Sequence, residues 1–229
     1  AAWREKLFGA GKDLNSFLIV TVSTGVGSKT FRNGDVIIGN EGIGGEIGHV
    51  IVNPLSYFSC ECGGVGHLES FASGVAAERI AREKAQEDPY GFQASHLGYL
   101  SKWKPEDISN NEIAQAAQRE DTFALNLIEE LTRPLAIGLA NSWVLGGAVD
   151  RIIVIGGFAL NVGRPYFASL RHQLKQIGVL GHYHDPQSFY NDLIIAGTED
   201  DHSGLIGAAA AARAALEKGS PEKLAAVPS

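Results

Sequence analysis

Methionine is absent from this 229-residue chain, cysteine occurs twice, and there are three tryptophans and eight prolines against twenty-eight glycines. Two cysteines one residue apart, Cys60 and Cys62, exclude a disulfide framework, because a bridge needs an α-carbon separation and side-chain directions that such neighbours rarely supply. No apolar run approaches the roughly 20 residues that span a bilayer, and the opening AAWREKLFGAGK lacks the charged-then-apolar order of a secretion signal. No membrane partner and a reducing, cytoplasmic setting are therefore expected. Clustered basic residues are lacking too. The formal net charge is -7, and displacing counterions from phosphates needs grouped Lys and Arg, so this segment is expected to make no direct nucleic-acid contact. With no initiator methionine, AAWREKLFGAG reads as the interior of a helix already under way, which gives the expectation of a chain that begins within a domain.

What the chain does have is 45% hydrophobic content, enough at this length for a substantial core. Residues 1 to 9 read as a helix ending at Gly9 and Gly11. Phe17 to Ser23 is a compact β-branched run expected to form a buried strand, and Thr24 to Lys29 (TGVGSK) is expected to be its turn. Phe31 to Ile38 reads as strand around the Asn33-Gly34 hairpin signal, before a glycine-rich loop from Gly39 to Gly48. Helical spacing runs from Leu68 to Gln86, whereas Asp88 to Lys104 is expected to be irregular. Ser109 and Asn110 suit the start of a helix over Glu112 to Arg119, and a longer helix from Thr122 to about Leu145 should be kinked at Pro134. Asp150 to Gly157 (DRIIVIGG) is a second buried strand ending in paired glycines. A helix over Arg164 to Ile177, a strand at Leu193 to Ala196 and an alanine-rich helix over Ser203 to Leu216 complete an α/β pattern, with a frayed tail from Lys218.

Within nineteen residues the sequence places His49, Cys60, Cys62 and His67. A closed set of thiolates and imidazoles suits tetrahedral zinc, which gains its affinity from such donors and tolerates short loops between them. His182, His184 and Asp185 form a subordinate second metal candidate, while His96, His172 and His202 read as ordinary surface or helix histidines. The two strand-to-glycine turns, VTVSTGVGS and IVIGGFALN, suit a nucleotide. Without a β-carbon, Gly25, Gly27, Gly156 and Gly157 can let backbone N–H groups approach phosphate oxygens, and Ser23 and Thr24 add hydroxyl donors. Glu46 and His49 flank a GExGH turn and Glu69 follows the metal candidates. Paired carboxylates near a histidine suit the vicinal hydroxyls of a sugar. Glu61 and Glu78 read as solvated side chains.

The strings GEIGHVIVNP, CECGGVGHLESFASG, IVIGG and the terminal GLIGAAAAA, in that order, resemble the ROK family, named for repressor, open reading frame and kinase. The resemblance implies an actin-like, ribonuclease-H-type α/β fold of two lobes, of which this chain is mainly the large C-terminal one. Residues 1–11 would continue from a missing N-terminal lobe, 12–202 would be the large lobe, 203–217 would pack back toward the small lobe, and 218–229 would be a tail. It also implies phosphorylation of a sugar by MgATP, or sugar sensing when the lobe is joined to a winged-helix repressor domain. On that resemblance STGVG from Ser23 to Gly27 matches the phosphate-binding loop, Gly156 with Gly157 the adenosine motif, and Glu46, His49 and Glu69 the sugar-binding positions, with structural zinc on His49, Cys60 and Cys62.

The chain departs from the family twice. His67 stands where the family usually has a third cysteine, which keeps a donor of the right type but makes the site less negative. The DxGxT-like loop and the NDxNAA-like segment that carries the catalytic aspartate are both missing, and Asp13 and Asp35 lie outside the matching pattern. The expected base therefore lies upstream of Ala1. The parent is expected to be a kinase acting on glucose or a related hexose, self-associating as a homodimer, with the fragment itself inactive. The alternative is the sugar-sensing domain of a ROK repressor.

Overall fold

The computed structural model describes residues 1–198 and 203–217. Five strands form one mixed sheet in the order β3-β2-β1-β4-β5: β1 Ser16–Val22, β2 Val26–Arg32, β3 Asp35–Ile37, β4 Arg151–Ile155 and β5 Ile194–Ala196. β1, β2 and β3 pair antiparallel, whereas β4 lies parallel to both β1 and β5. The hairpin between β2 and β3 turns at Asn33 and Gly34, whose φ values of 53° and 82° give the left-handed conformation that matches strand twist. Along the chain the helices are α1 Ala2–Phe8, α2 Glu69–Ala72, α3 Gly74–Glu87, α4 Pro89–Ala94, α5 His96–Leu100, α6 Asn110–Gln118, α7 Thr122–Gly146, α8 Gly157–Val162, α9 Arg164–Ile177, α10 Gln187–Leu193 and α11 Ser203–Glu217.

Because side chains alternate across a strand, β1 and β4 feed two cores. Leu18, Val20, Val22, Ile152 and Val154 face the larger one, with residues of α3, α6, α7 and α9. Phe17, Ile19, Ile153 and Ile155 point the other way and join Phe31 and Ala2. There Phe17 and Phe31, direct partners in the β1–β2 register, stack at 5.0 Å, and Trp3 meets the Phe31 ring edge-on at 5.3 Å. Burial on both faces is why these strands read as unbroken apolar runs. α1 is fastened over the second core by Glu5, a carboxylate only 1% exposed. It pairs with Arg4 at 3.0 Å and accepts from the backbone N–H of Ala10 at 2.8 Å and of Thr198 at 3.0 Å. α11 packs against α1 on this side.

Several sequence expectations are corrected. The turn expected from Thr24 to Lys29 is confined to Ser23–Gly25, and β2 already begins at Val26. The single helix expected from Leu68 to Gln86 is interrupted at Ser73, whose side chain accepts from the Ala76 N–H and caps α3. The stretch from Asp88 to Lys104, expected to be irregular, holds α4 and α5. Asp88 and Ser95 cap them by accepting from Gly91 and Gly98, and Pro89 fits the first helical turn. α8 and α10 were not foreseen. The expected long helix is present as α7, which runs from Thr122 to Gly146 with Pro134 inside it. The tail from Lys218, together with His202, lies outside the described residues. Among the described residues no helix is long and apolar enough to cross a membrane.

Gly156 ends β4 at φ 103°, and a β-carbon there would lie 2.3 Å from the Val22 carbonyl oxygen. Gly156→Ala combines a left-handed penalty with overpacking against β1, and we expect it to lower stability by about 2–4 kcal/mol, measurable as a drop in the urea unfolding midpoint.

Candidate functional site

Two features meet at the edge of the sheet where β1 and β4 end. These strands are parallel neighbours, with Thr21 opposite Ile155, so the Ser23–Gly25 turn and the Gly156–Gly157 turn emerge side by side, as binding crevices do at the carboxyl ends of parallel strands. A β-carbon on Gly157 would lie 3.9 Å from the Ser23 hydroxyl. Within the first turn the Ser23 N–H donates to the Gly25 carbonyl at 3.0 Å, and the Ser23 carbonyl accepts from Gly74 at 2.6 Å. Thus the start of α3 abuts the turn. Gly27, which the sequence placed in the turn, is instead a β2 residue paired with Thr21, and its Cα faces open space. Gly74 was missed, although it stands inside the FASG string. A β-carbon there would approach the Ser23 carbonyl to 2.8 Å and the Asn110 amide to 2.9 Å.

The metal candidates are brought together by a small hairpin. Gly66 donates to Phe58 at 3.1 Å and Cys60 to Gly64 at 2.7 Å, with a bridge between Ser59 and Val65, so both cysteines sit at the hairpin tip. Gly63 and Gly66 adopt φ of 90° and 71°, which their positions in this tight return require. A second bridge, Ile51 to His67, carries His67 back beside the 3-10 turn Ile47–His49. Donor atoms of His49, Cys60, Cys62 and His67 all lie within 4.8 Å of one another. Cys60 Sγ is 3.7 Å from His49 Nδ1 and Cys62 Sγ is 3.2 Å from His67 Nδ1. Two donors held at zinc's bond lengths in a tetrahedron stand roughly 3.3–3.8 Å apart, so the set fits such an ion. Burial pushes the Cys60 thiol up from its ordinary value, and the neighbouring Glu69 adds to the shift. A divalent cation inverts that balance, because it favours the thiolate.

His182, His184 and Asp185 do not form a comparable cluster; among the described residues only the four-donor group does. His182 Nδ1 instead bonds Asp185 at 2.7 Å and its ring stacks on Phe189 at 4.3 Å. Glu78, read as solvated, accepts from the Asn110 N–H at 3.1 Å and pairs with Arg82 at 3.2 Å. Glu61 is exposed, as expected.

Val26 joins the turn to the metal cluster. Its N–H donates to Glu69 Oε2 at 2.8 Å, while the other carboxylate oxygen of Glu69 accepts from Cys60 Sγ at 3.5 Å. At the carbonyl of the same residue, Gly48 packs so closely that a β-carbon would lie 2.1 Å from the Val26 oxygen and 3.6 Å from Glu69 Cβ. The GExGH turn and Glu69 therefore converge on one residue of β2. Glu46 is more open, and its carboxylate pairs with Lys29 at 2.5 Å while the Lys29 ammonium also donates to the Gly44 carbonyl at 2.7 Å.

With this geometry in place, comparison with known proteins is informative. The chain matches the ROK family over residues 1–215 and belongs to it. It is 38% identical over 215 residues to the C(7)-cyclitol 7-kinase of Streptomyces hygroscopicus subsp. limoneus, covering 93% of this chain and 59% of that protein. It superposes on the crystal structure of a ROK family glucokinase from Streptomyces griseus in complex with glucose and AMPPNP, with a TM-score of 0.76 and 30% identity over 94% of this chain and 65% of that one. The DNA-binding transcriptional dual regulator NagC of Escherichia coli is 28% identical over 218 residues, 95% of this chain and 49% of the regulator. The chain thus spans about half to two thirds of the length of these relatives, and its fold is the actin-like ATPase fold of the ROK sugar kinases.

Glu69→Ala leaves the Val26 N–H without its acceptor and is expected to destabilise the protein by about 1–3 kcal/mol. Glu69→Gln, which keeps an amide oxygen for that N–H, should lose clearly less. Equal losses in chemical denaturation would show that the hydrogen bond is not what holds the turn.

Proposed function

We propose that the parent protein transfers a phosphoryl group from MgATP to a hydroxyl of a hexose, glucose or a related sugar, and that this chain contributes the larger lobe. The observation that carries the reading is the placement of the two glycine turns at adjacent parallel strand ends, linked through Val26 and Glu69 to the GExGH turn. On this reading Ser23, Thr24 and Gly25 orient the phosphates, and Gly156 and Gly157 admit the nucleoside. Gly27, set in β2, would act by shaping the strand rather than by touching phosphate. Magnesium and nucleotide would supply the electrophilic phosphorus and neutralise charge on the transferred group; this chain positions and desolvates.

Glu46, His49 and Glu69 would hold the sugar. An ionised carboxylate offers about four acceptor sites, so Glu69 can receive a sugar hydroxyl while keeping Val26. The Lys29–Glu46 pair, with side chains 29% and 41% exposed, is worth about 0–1 kcal/mol, and a sugar hydroxyl can displace it at little loss. Structural zinc on His49, Cys60, Cys62 and His67 would fix the His49 turn against the hairpin without entering the reaction. No aspartate here takes the role of base in this reading: Asp35 bonds its neighbour Val36 at 2.8 Å in the hairpin turn. The base belongs to the other lobe, toward which α1 and α11 would pack; Phe8 and Leu205, 68% and 72% exposed on these helices, support that. A cytoplasmic homodimer belongs to the same reading. The kinase is preferred to a sugar-sensing repressor domain because the kinases are the more similar in sequence, at 38% and 30% identity against 28% for the regulator.

Titrating the intact parent with ATP and a panel of hexoses should give sugar-dependent ADP release, and no release across the panel would overturn the kinase in favour of the sensor. The isolated chain should show no turnover. Purified under reducing conditions, it should carry about one equivalent of zinc, and Cys62→Ser should lower zinc affinity by at least roughly tenfold, read by metal analysis after dialysis against a competing chelator.

A further inference from the structure

α9 and α10 enclose a groove of about 550 Å³ that reaches the end of β5 at Ala196, and none of its residues belongs to the glycine turns or the metal cluster. Its charged lining is all basic or imidazole: Arg164, Arg171 and His172. In a chain of net charge -7, such a grouping runs against the field of the whole molecule. Arg164 opens α9, where the helix dipole is already positive, so the position is unfavourable for a cation unless an anion joins it. It is exposed, and makes no hydrogen bond or ion pair among the described residues.

Arg171 is held differently. Its Nε and Nη2 both donate to the Ile194 carbonyl, at 2.9 and 2.6 Å, which fixes the guanidinium plane one residue into β5 and leaves its remaining N–H groups for another acceptor. Burial pushes this guanidinium below its ordinary value, and Asp192 restores part of the shift; it stays charged, with desolvation that a bound anion would offset. Across the groove, Gln187 donates to Asn191 at 3.3 Å, an amide pair that can turn donors or acceptors toward a polar ligand. Phe167, 6% exposed, supplies an apolar wall.

The geometry points to a binding site for a phosphate monoester of a small polar molecule, with the phosphate between Arg164, Arg171 and His172 and the organic part against Gln187, Asn191 and Phe167. A rigid arginine plus a free one suits a tetrahedral dianion, since charge-assisted bonds to oxygen are the stronger kind. The amides suit hydroxyls. The site is independent of the kinase reading and stands or falls without it.

The test follows amide shifts of the isotope-labelled 229-residue chain on titration with inorganic phosphate, glucose 6-phosphate and glucose at fixed ionic strength. Both phosphates should give saturable shifts in Phe167–His172 and Gln187–Asn191, glucose none. Tighter binding of glucose 6-phosphate than of phosphate would assign the amides to the organic part; equal binding would limit the site to the anion, and would overturn the monoester assignment. Arg164→Ala should weaken binding by roughly tenfold or more, as loss of a charge-assisted bond predicts, and His172→Ala should weaken it less. The proposal fails if neither phosphate saturates, if Arg164→Ala binds like the parent chain, or if ATP displaces the ligand and shifts concentrate at Ser23–Gly25 and Gly156–Gly157.

Discussion

One residue organises the site. Val26 opens β2; its N–H donates to the Glu69 carboxylate at 2.8 Å, and its C=O lies against the bare Cα of Gly48. The first contact ties the glycine turn after β1 to α2, and the second lays the GExGH turn on the sheet. A carboxylate accepting a backbone N–H is among the stronger hydrogen bonds a protein makes, and a glycine pressed on a carbonyl tolerates no side chain. Elements more than forty residues apart in sequence therefore have little freedom relative to one another. Gly156, seated on the Val22 backbone, applies the same device to β4. Close backbone contact, made available by missing β-carbons, is what aligns the two turns.

The residues that carry this arrangement were partly legible in the sequence. Apolar β-branched runs announced β1 and β4 because these strands are buried on both faces, and Asn33-Gly34 announced its hairpin because few other pairs adopt two left-handed residues in succession. The metal-type donors were legible by residue type and spacing. What was not legible depended on partners distant in the chain. VGSK looks like a loop when glycines are counted, yet it is the start of β2, because pairing with Thr21 and Val22 outweighs local propensity. Glu69 reads as a sugar-binding carboxylate just past the metal candidates, and nothing local foretells that its acceptor atoms are directed at Val26 and Cys60. Between Asp88 and Lys104 aromatic and polar composition hid helices of six and five residues, too short to display a period.

The half-buried position of Glu69 sets up an electrostatic contest at the metal cluster. Cys60 is buried at 6% exposure, and both burial and the adjacent carboxylate oppose its ionisation. That thiol donates to Glu69 at 3.5 Å; a divalent cation would favour the thiolate. Metal binding would then tighten the one group that also grips Val26, so the state of the knuckle and the position of the glycine turn would be coupled through a single side chain. An imidazole at His67, rather than a thiolate, keeps the negative charge of the set lower and so weakens repulsion between the candidate ligands and Glu69.

This coupling explains why fold alone does not separate catalysis from sensing in such a lobe. On the proposed reading, a sugar cradle fixed by a metal knuckle and a glycine turn fixed by the cradle would be useful to either activity, since both require binding at one place to be felt at another. Function resides in the groups added to the shared scaffold. For transfer, the additional requirement is a base aligned with the sugar hydroxyl and the phosphorus, a geometry in which a displacement of about 1 Å can cost roughly a hundredfold in rate. In the proposed kinase, a turn held at both the N–H and the C=O of Val26 would meet the positional half of that requirement, while sensing would demand only that the turn move when the cradle fills. The close contacts of Gly48, Gly156 and Glu69 would favour the proposed transfer, since they oppose the motion that a sensor would need to exploit.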